Sequence, residues 1–270
     1  IRSDGSTPLY TEMHSKKRGT PTMGGILIWG TTIVLASVFW FLDRVLDIRE
    51  FHILNFLTRR ETLLPLGAMV GASLVGFLDD YLDIRQRGHM GRGLRFRIKV
   101  LLYAFVACVG AWWFYVKIGF DSIHVPFFGD IYLGIMFIPF FLLVVIGTSF
   151  AVNQTDGLDG LAGGTLSIAF FCFGIISYMQ GRDNLAALCG VVCGGLLAFL
   201  WFNVHPARFF MGDTGSMGLG VLLAIVAFLT DTTLLLPLIG LIFVVEAGSF
   251  FLQIFWKRAF KRKLFLSAPI

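Results

Sequence analysis

Residues 131–152 read IYLGIMFIPFFLLVVIGTSFAV, without one charged side chain. A helix needs about 20 apolar residues to cross roughly 30 Å of hydrocarbon, and this run has that length. It lacks the period-2 alternation of a membrane barrel strand. Uncharged runs flank it at 24–42, 63–78, 100–116, 161–179, 185–202 and 215–230, and an eighth, 234–256, holds one acid, Glu246. The runs at 63–78 and 215–230 are short and are expected to extend into the polar residues beside them. Composition agrees. Of 270 residues, 56% are hydrophobic and only 14% charged, against ~25% charged in an average soluble domain. A soluble fold cannot hide that much apolar surface, and disorder is excluded for the same reason. The predicted class is all-α: a polytopic integral membrane helical bundle with eight spans visible, forming one transmembrane domain over 1–270. Its four cysteines, at 108, 172, 189 and 193, lie inside spans and read as small buried hydrophobes.

Eight spans put the connecting loops alternately on two sides. The set 1–23, 79–99, 153–160, 203–214 and 257–270 carries 16 of the 22 Lys and Arg, and the other set carries 6. The first set is therefore expected to face the cytoplasm. A basic face suits anionic lipid, or a polyanionic substrate. Almost every dense motif falls on that side.

Asp79-Asp80-Tyr81-Leu82-Asp83 ends the second run. Like charges beside a bilayer helix are costly without a cation, and crowded carboxylates suit Mg²⁺ or a base. A solvated helix end paired with Arg85 and Arg87 is an equal reading. Asn153 to Gly164 places Asp156 and Asp159 among four glycines between two spans. Such a loop can bring amide N–H groups against a nucleobase or phosphate; the plainer reading is a helix–helix turn with Asp caps. Phe202 to Ser216 adds Asn203, His205 and Gly212-Asp213-Thr214-Gly215-Ser216. Phe210 can stack on a base or pack at the membrane interface. Lys16 to Gly25 joins cations, hydroxyls and glycines at a helix start, which suits phosphate or a membrane anchor. Glu246 reads first as a structural hub near Ser249. Phe127-Phe128-Gly129-Asp130 reads as an outside turn between small strands, and the histidines at 14, 52, 89 and 124 suggest no metal site.

Jointly, Lys17-Arg18-Gly19-Thr20-Pro21-Thr22-Met23-Gly24-Gly25, Asp79-Asp80, Asn153 to Gly164 and Asn203 to Ser216 resemble the MraY family of phospho-N-acetylmuramoyl-pentapeptide transferases. The Asn-x-x-Asp-Gly-x-Asp-Gly loop marks the wider polyprenyl-phosphate sugar-1-phosphate transferase superfamily, and the Gly-Thr-Pro-Thr-Met-Gly-Gly segment narrows it. The resemblance implies transfer of phospho-MurNAc-pentapeptide from UDP-MurNAc-pentapeptide to undecaprenyl phosphate. The products are lipid I and UMP, made with Mg²⁺ for peptidoglycan synthesis at the cytoplasmic face of the bacterial inner membrane. It implies Asp213 as the metal ligand with Asn153 as helper, and Asp79 and Asp80 near the acceptor phosphate, one of them a base. Asp156 is implied between pocket and metal. Asn203, Asp159 and Phe210 are implied in the uridine pocket, with Gly157 and Leu158 as its backbone, and Lys17 and Thr22 as substrate-loop contacts. Membrane lipids surround such a protein, a homodimer is compatible with it, and no nucleic-acid partner is implied. The family has ten spans and a run of His soon after Ser-Ala-Pro-Ile. Both ends here read as cut, so the chain is expected to be a fragment lacking the first and last helices. Some relatives carry Lys where Asp83 stands, so Asp83 is left out of the expected site. Two alternatives are a UDP-GlcNAc:polyprenyl-phosphate GlcNAc-1-phosphate transferase and an ion-coupled transporter using Glu246 and the Asp loops.

Overall fold

The computed structural model describes residues 20–46, 51, 54–57, 60–85, 93–262 and 264–265. In order, the helices are α1 (Gly25–Leu46), α2 (Arg60–Ile84), α3 (Phe96–Trp112, prolonged by a π-helical turn Trp113–Ile118) and α4 (Phe137–Thr155). They continue as α5 (Leu161–Met179), α6 (Asp183–Asn203), α7 (Asp213–Leu229), α8 (Leu236–Ile239) and α9 (Leu241–Phe260). Six of them are long and apolar enough to cross a membrane: Gly25–Leu46, Thr62–Ile84, Phe96–Ile118, Gly134–Thr155, Leu161–Met179 and Asp183–Asn203. The protein is a multi-pass helical membrane protein. The run at 63–78 does extend, through Asp79 and Asp80, to Ile84. Antiparallel strands β1 (Ser122–Val125) and β2 (Gly129–Tyr132) form a hairpin between α3 and α4, with the Phe127 turn at its tip.

Two of the eight expected spans take another form. α7 has 17 residues and gains only Thr214 and Asp213 from its flank. Every residue from Thr214 to Leu229 is buried, so protein, rather than lipid, surrounds α7 and sets its length. α2 and α4 pack along it, α5 pairs with α6, α1 lies on α6, and α9 lies against α4. Without water to drive helices together, close backbone approach and dispersion must hold such a bundle. Gly220 supplies that approach: a Cβ there would sit 2.6 Å from Ser149 Cα of α4. The last expected span is broken. Segments Thr233–Ile239 and Leu241–Phe260 meet at 80°. Pro237 sits at the start of α8, and Gly240 lies at the break.

The ends of α7 are matched to its dipole. At its N-terminus, Asp80 Oδ1 accepts the Asp213 N–H (3.2 Å) and Asp80 Oδ2 accepts the Thr214 N–H (3.1 Å). At its C-terminus, the Arg182 guanidinium donates to the Leu229 carbonyl and Gln180 Nε2 to the Thr230 carbonyl (2.8 Å). Beside that end, Phe228 meets Phe141 at 4.6 Å and Phe137 at 5.6 Å between ring centroids, which closes the core.

The cysteines are free: Cys189 is buried, Cys172 and Cys193 are partly buried, and Cys108 is exposed. Glu246 is buried, and the Ser249 hydroxyl donates to its backbone carbonyl at 2.8 Å.

Candidate functional site

The starts of α1, α3, α5 and α7 and the ends of α2, α4 and α6 meet at one end of the bundle. α2 brings Asp79 and Asp80 to α7 because Gly76, one turn earlier, lies directly on the Asp213 backbone and leaves no room for a Cβ. Asp80 then caps α7, so both of its carboxylate oxygens are committed to backbone. Asp79 Oδ1 accepts the Leu94 N–H at 2.6 Å, and Asp79 Oδ2 accepts Lys99 Nζ at 3.0 Å. Lys99, at the start of α3, also pairs with Asp213 Oδ2. Asp213 Oδ1 accepts Asn153 Nδ2 at 2.6 Å, and Asn153 Nδ2 also donates to Ser216 Oγ at 2.9 Å. Asp79 and Asp213, from two helices, thus share the Lys99 ammonium, with Asp80 beside them on the α7 backbone. The side chains of Lys99, Asp79 and Asp213 are only 14%, 14% and 19% exposed.

The loop after α4 does not cap its own helix. Asp156 Oδ2 accepts the Gly212 N–H at 3.1 Å, one residue before Asp213. Asp159 Oδ2 accepts the Ala207 N–H at 3.3 Å and is hydrogen-bonded to His205 Nδ1 at 3.0 Å. Asn203 spans the two loops. Its Oδ1 accepts the Gly160 N–H at 2.9 Å, and its Nδ2 donates to the Phe209 carbonyl at 2.8 Å. The carboxylates and amides of the two loops therefore brace one loop against the other. Gly157 is partly buried and Leu158 exposed at the loop surface.

The segment before α1 is joined to the same loop. The Gly24 N–H donates to the Phe210 carbonyl (2.7 Å), Gly25 to Met211 (2.9 Å), and Phe210 to Pro21 (2.9 Å). This pairing sets Thr22 beside Gly212. Phe209 packs with Phe199 at 5.5 Å and stacks on Phe202 at 5.8 Å. The structure brings together Thr22, Asp79, Asp80, Asn153, Asp156, Asn203, Phe210 and Asp213, with Asp159 beside His205 at the edge. Lys17 lies outside the described residues. Asp83 is exposed, and Arg85 sits over the Tyr81 ring (5.3 Å) rather than on Asp83.

Lys99 is the residue that sequence reasoning passed over. It entered there only as one of the Lys and Arg counted in the loop 79–99, and nothing local marks it as the counter-ion of Asp79 and Asp213. Sequence reasoning also left His124 scattered. The hairpin register pairs it with Asp130 (2.7 Å), and the ligand atoms of His124, Asp130 and Asp231 fall within 4.8 Å of one another at the opposite end of the bundle. Partial burial there holds the Asp231 carboxyl above its usual range, with the His124 N–H opposing the shift.

Chemically, the Asp213 end is a hard oxygen site. Asp79 and Asp213 share one ammonium, so a divalent cation fits by charge and by donor type. Asn153 faces Asp213 through its amide nitrogen, which orients the carboxylate; rotating the amide would present an oxygen instead.

Comparisons with known proteins give a consistent pattern. The family model "Glycosyl transferase family 4" matches residues 62–231, and "Phospho-N-acetylmuramoyl-pentapeptide-transferase signature 1" matches 17–28. The chain is 38% identical over 283 residues to a phospho-N-acetylmuramoyl-pentapeptide-transferase of Chloroflexus aurantiacus, covering 100% of the chain and 72% of that protein. A protein of the same name from Citrifermentans bemidjiense is 39% identical, with 100% and 74% covered. One from Clostridium perfringens is 40% identical, with 95% and 76% covered.

Proposed function

The chain belongs to the phospho-N-acetylmuramoyl-pentapeptide-transferase family, and on that premise we propose that it transfers phospho-MurNAc-pentapeptide from UDP-MurNAc-pentapeptide to undecaprenyl phosphate. An oxygen of the lipid phosphate attacks the β-phosphorus of the diphosphate. The bond from that phosphorus to the bridging oxygen breaks, UMP leaves with the electron pair, and lipid I remains in the membrane. The observation that carries this reading is the carboxylate group of Asp79, Asp80 and Asp213, held on apolar helices at one end of a membrane bundle. A lipid acceptor and a water-soluble nucleotide can meet only at such an end. Phosphoryl transfer asks for charge neutralisation and alignment more than for a special nucleophile, and this site is built for both.

Mg²⁺ is the cofactor that this reading expects, held by Asp213 with Asn153 orienting it; when bound, it neutralises the phosphate oxygens. Lys99 then supplies the positive charge that belongs to the chain itself. Asp80, committed to the α7 backbone, holds Asp213 in place. Asp79, which holds the Leu94 N–H and Lys99, lies with Asp80 nearest the acceptor phosphate in this reading, and one of the two takes its proton. Phe210 stacks the uracil, with Asp159 at the pocket edge and Thr22 on the loop beside it. A UDP-GlcNAc-specific relative would share the carboxylates, whereas the segment 17–28 favours the muramoyl donor. Competing the two labelled UDP-sugars for one acceptor tests the choice: MurNAc-pentapeptide label should enter lipid, and entry of GlcNAc label alone would refute it.

The site end faces the cytoplasm in this reading, because 16 of the 22 Lys and Arg lie in the loops on that side. Single cysteines placed beside Asp156 and beside the 203–212 loop should resist an impermeant reagent in right-side-out vesicles and react once the vesicles are opened. Labelling from outside would overturn the orientation.

Stacking is worth roughly 1–3 kcal/mol per base. Phe210→Ala should therefore raise KM for the UDP substrate by about one to two orders of magnitude. Nucleoside inhibitors should weaken in parallel. If neither affinity moves, Phe210 only packs.

A further inference from the structure

Tyr103 lies one helical turn after Lys99 on α3, so the two side chains share a face. It is 1% exposed, and its ring meets Phe150 edge-on at 6.2 Å. Its hydroxyl has no hydrogen-bond partner among the described residues. Lys99, on that same face, is the residue that joins Asp79 to Asp213. Packing does not account for it: phenylalanine would fill the same space without burying an unsatisfied hydroxyl. The carboxylates do not account for it either. None of Asp79, Asp80 and Asp213 lies within hydrogen-bond distance of it. The ammonium of Lys99 is different. It has three N–H groups and uses two, on Asp79 and Asp213.

A divalent cation on Asp213 and the ammonium of Lys99 repel each other, so Lys99 must give up Asp213 when the cation arrives. A displaced ammonium in a site this buried needs an acceptor. We propose that Tyr103 is a positioning residue for Lys99, and that its Oη accepts the ammonium when a cation takes Asp213, so that Lys99 is held between Asp79 and Tyr103. The inference rests on the metal reading given above and adds to it the residue that makes the exchange possible.

Mn²⁺ binding to the detergent-purified protein, followed by electron paramagnetic resonance of free Mn²⁺, tests it without turnover. Lys99→Met removes the competitor and should tighten binding by about tenfold. Tyr103→Phe should weaken it by roughly three- to tenfold, because Lys99 then stays on Asp213. The double variant should match Lys99→Met alone, since Tyr103 acts through Lys99. A Tyr103→Phe affinity equal to the parent's, or a Tyr103→Phe loss that persists in the Lys99→Met background, would overturn the role of Tyr103 while leaving the metal site standing. Mn²⁺ binding that Asp213→Asn does not change would remove the metal reading itself, and the inference with it.

Discussion

Asp213→Asn is expected to lower kcat by at least about a hundredfold, the ~3 kcal/mol scale of lost transition-state electrostatics. The donor diphosphate and the lipid phosphate together bring several negative charges to the edge of a low-dielectric membrane, where their repulsion is prohibitive unless cations intervene. Asp213 is the carboxylate best placed to hold one. It starts the central helix, its Oδ1 is fixed by Asn153, and its Oδ2 is the oxygen that Lys99 yields to a cation in this reading. The substitution keeps the shape and removes the charge, so the protein should still insert and fold, while activation by Mg²⁺ weakens. Asp83→Asn, at an exposed position near the end of α2, should do far less. Near-native turnover with unchanged Mg²⁺ dependence would move the metal site, first to Asp79.

Asp80→Ala should fail differently. It strips two acceptors from the first N–H groups of α7, in a helix whose every following residue is buried. Each orphaned buried N–H costs about 1–3 kcal/mol, so the melting temperature should fall by about 5 °C or more. Turnover should fall with it, because Asp213 rides on the same helical turn. Asp80→Asn, which keeps one acceptor oxygen, should recover part of the stability. If Asp80 were only a base, Asp80→Ala would abolish turnover and leave the melting temperature unchanged.

The class of fold was legible because hydrocarbon imposes a length on every helix that faces it. Residues 161–179 carry that length and form α5 at those bounds, whereas the run at 131–152 gives the helical span Gly134–Thr155, because Ile131 and Tyr132 pair in strand β2. α7 was legible only in part. Its neighbours, not lipid, set its ends, so its 17 residues look like a span that falls short. The 80° break at Gly240 was missed because apolar residues continue across it, and hydropathy is blind to direction. At the site, the motifs announced themselves by glycine and carboxylate density. What they do locally was not readable. Asp156 and Asn203 brace a loop 56 residues away in one case and 43 in the other, and Asp80 caps a helix that begins at 213. Lys99 was hidden for the same reason, since an ion pair across 114 residues leaves no local trace.

The most direct test of the account is a transfer assay with the purified protein, undecaprenyl phosphate, Mg²⁺ and UDP-MurNAc-pentapeptide labelled in the sugar. The label should pass into a butanol-extractable lipid, UMP should appear in equal amount, and chelation of the metal should stop both. Label that stays in the aqueous phase, or lipid labelling without UMP release, would contradict it.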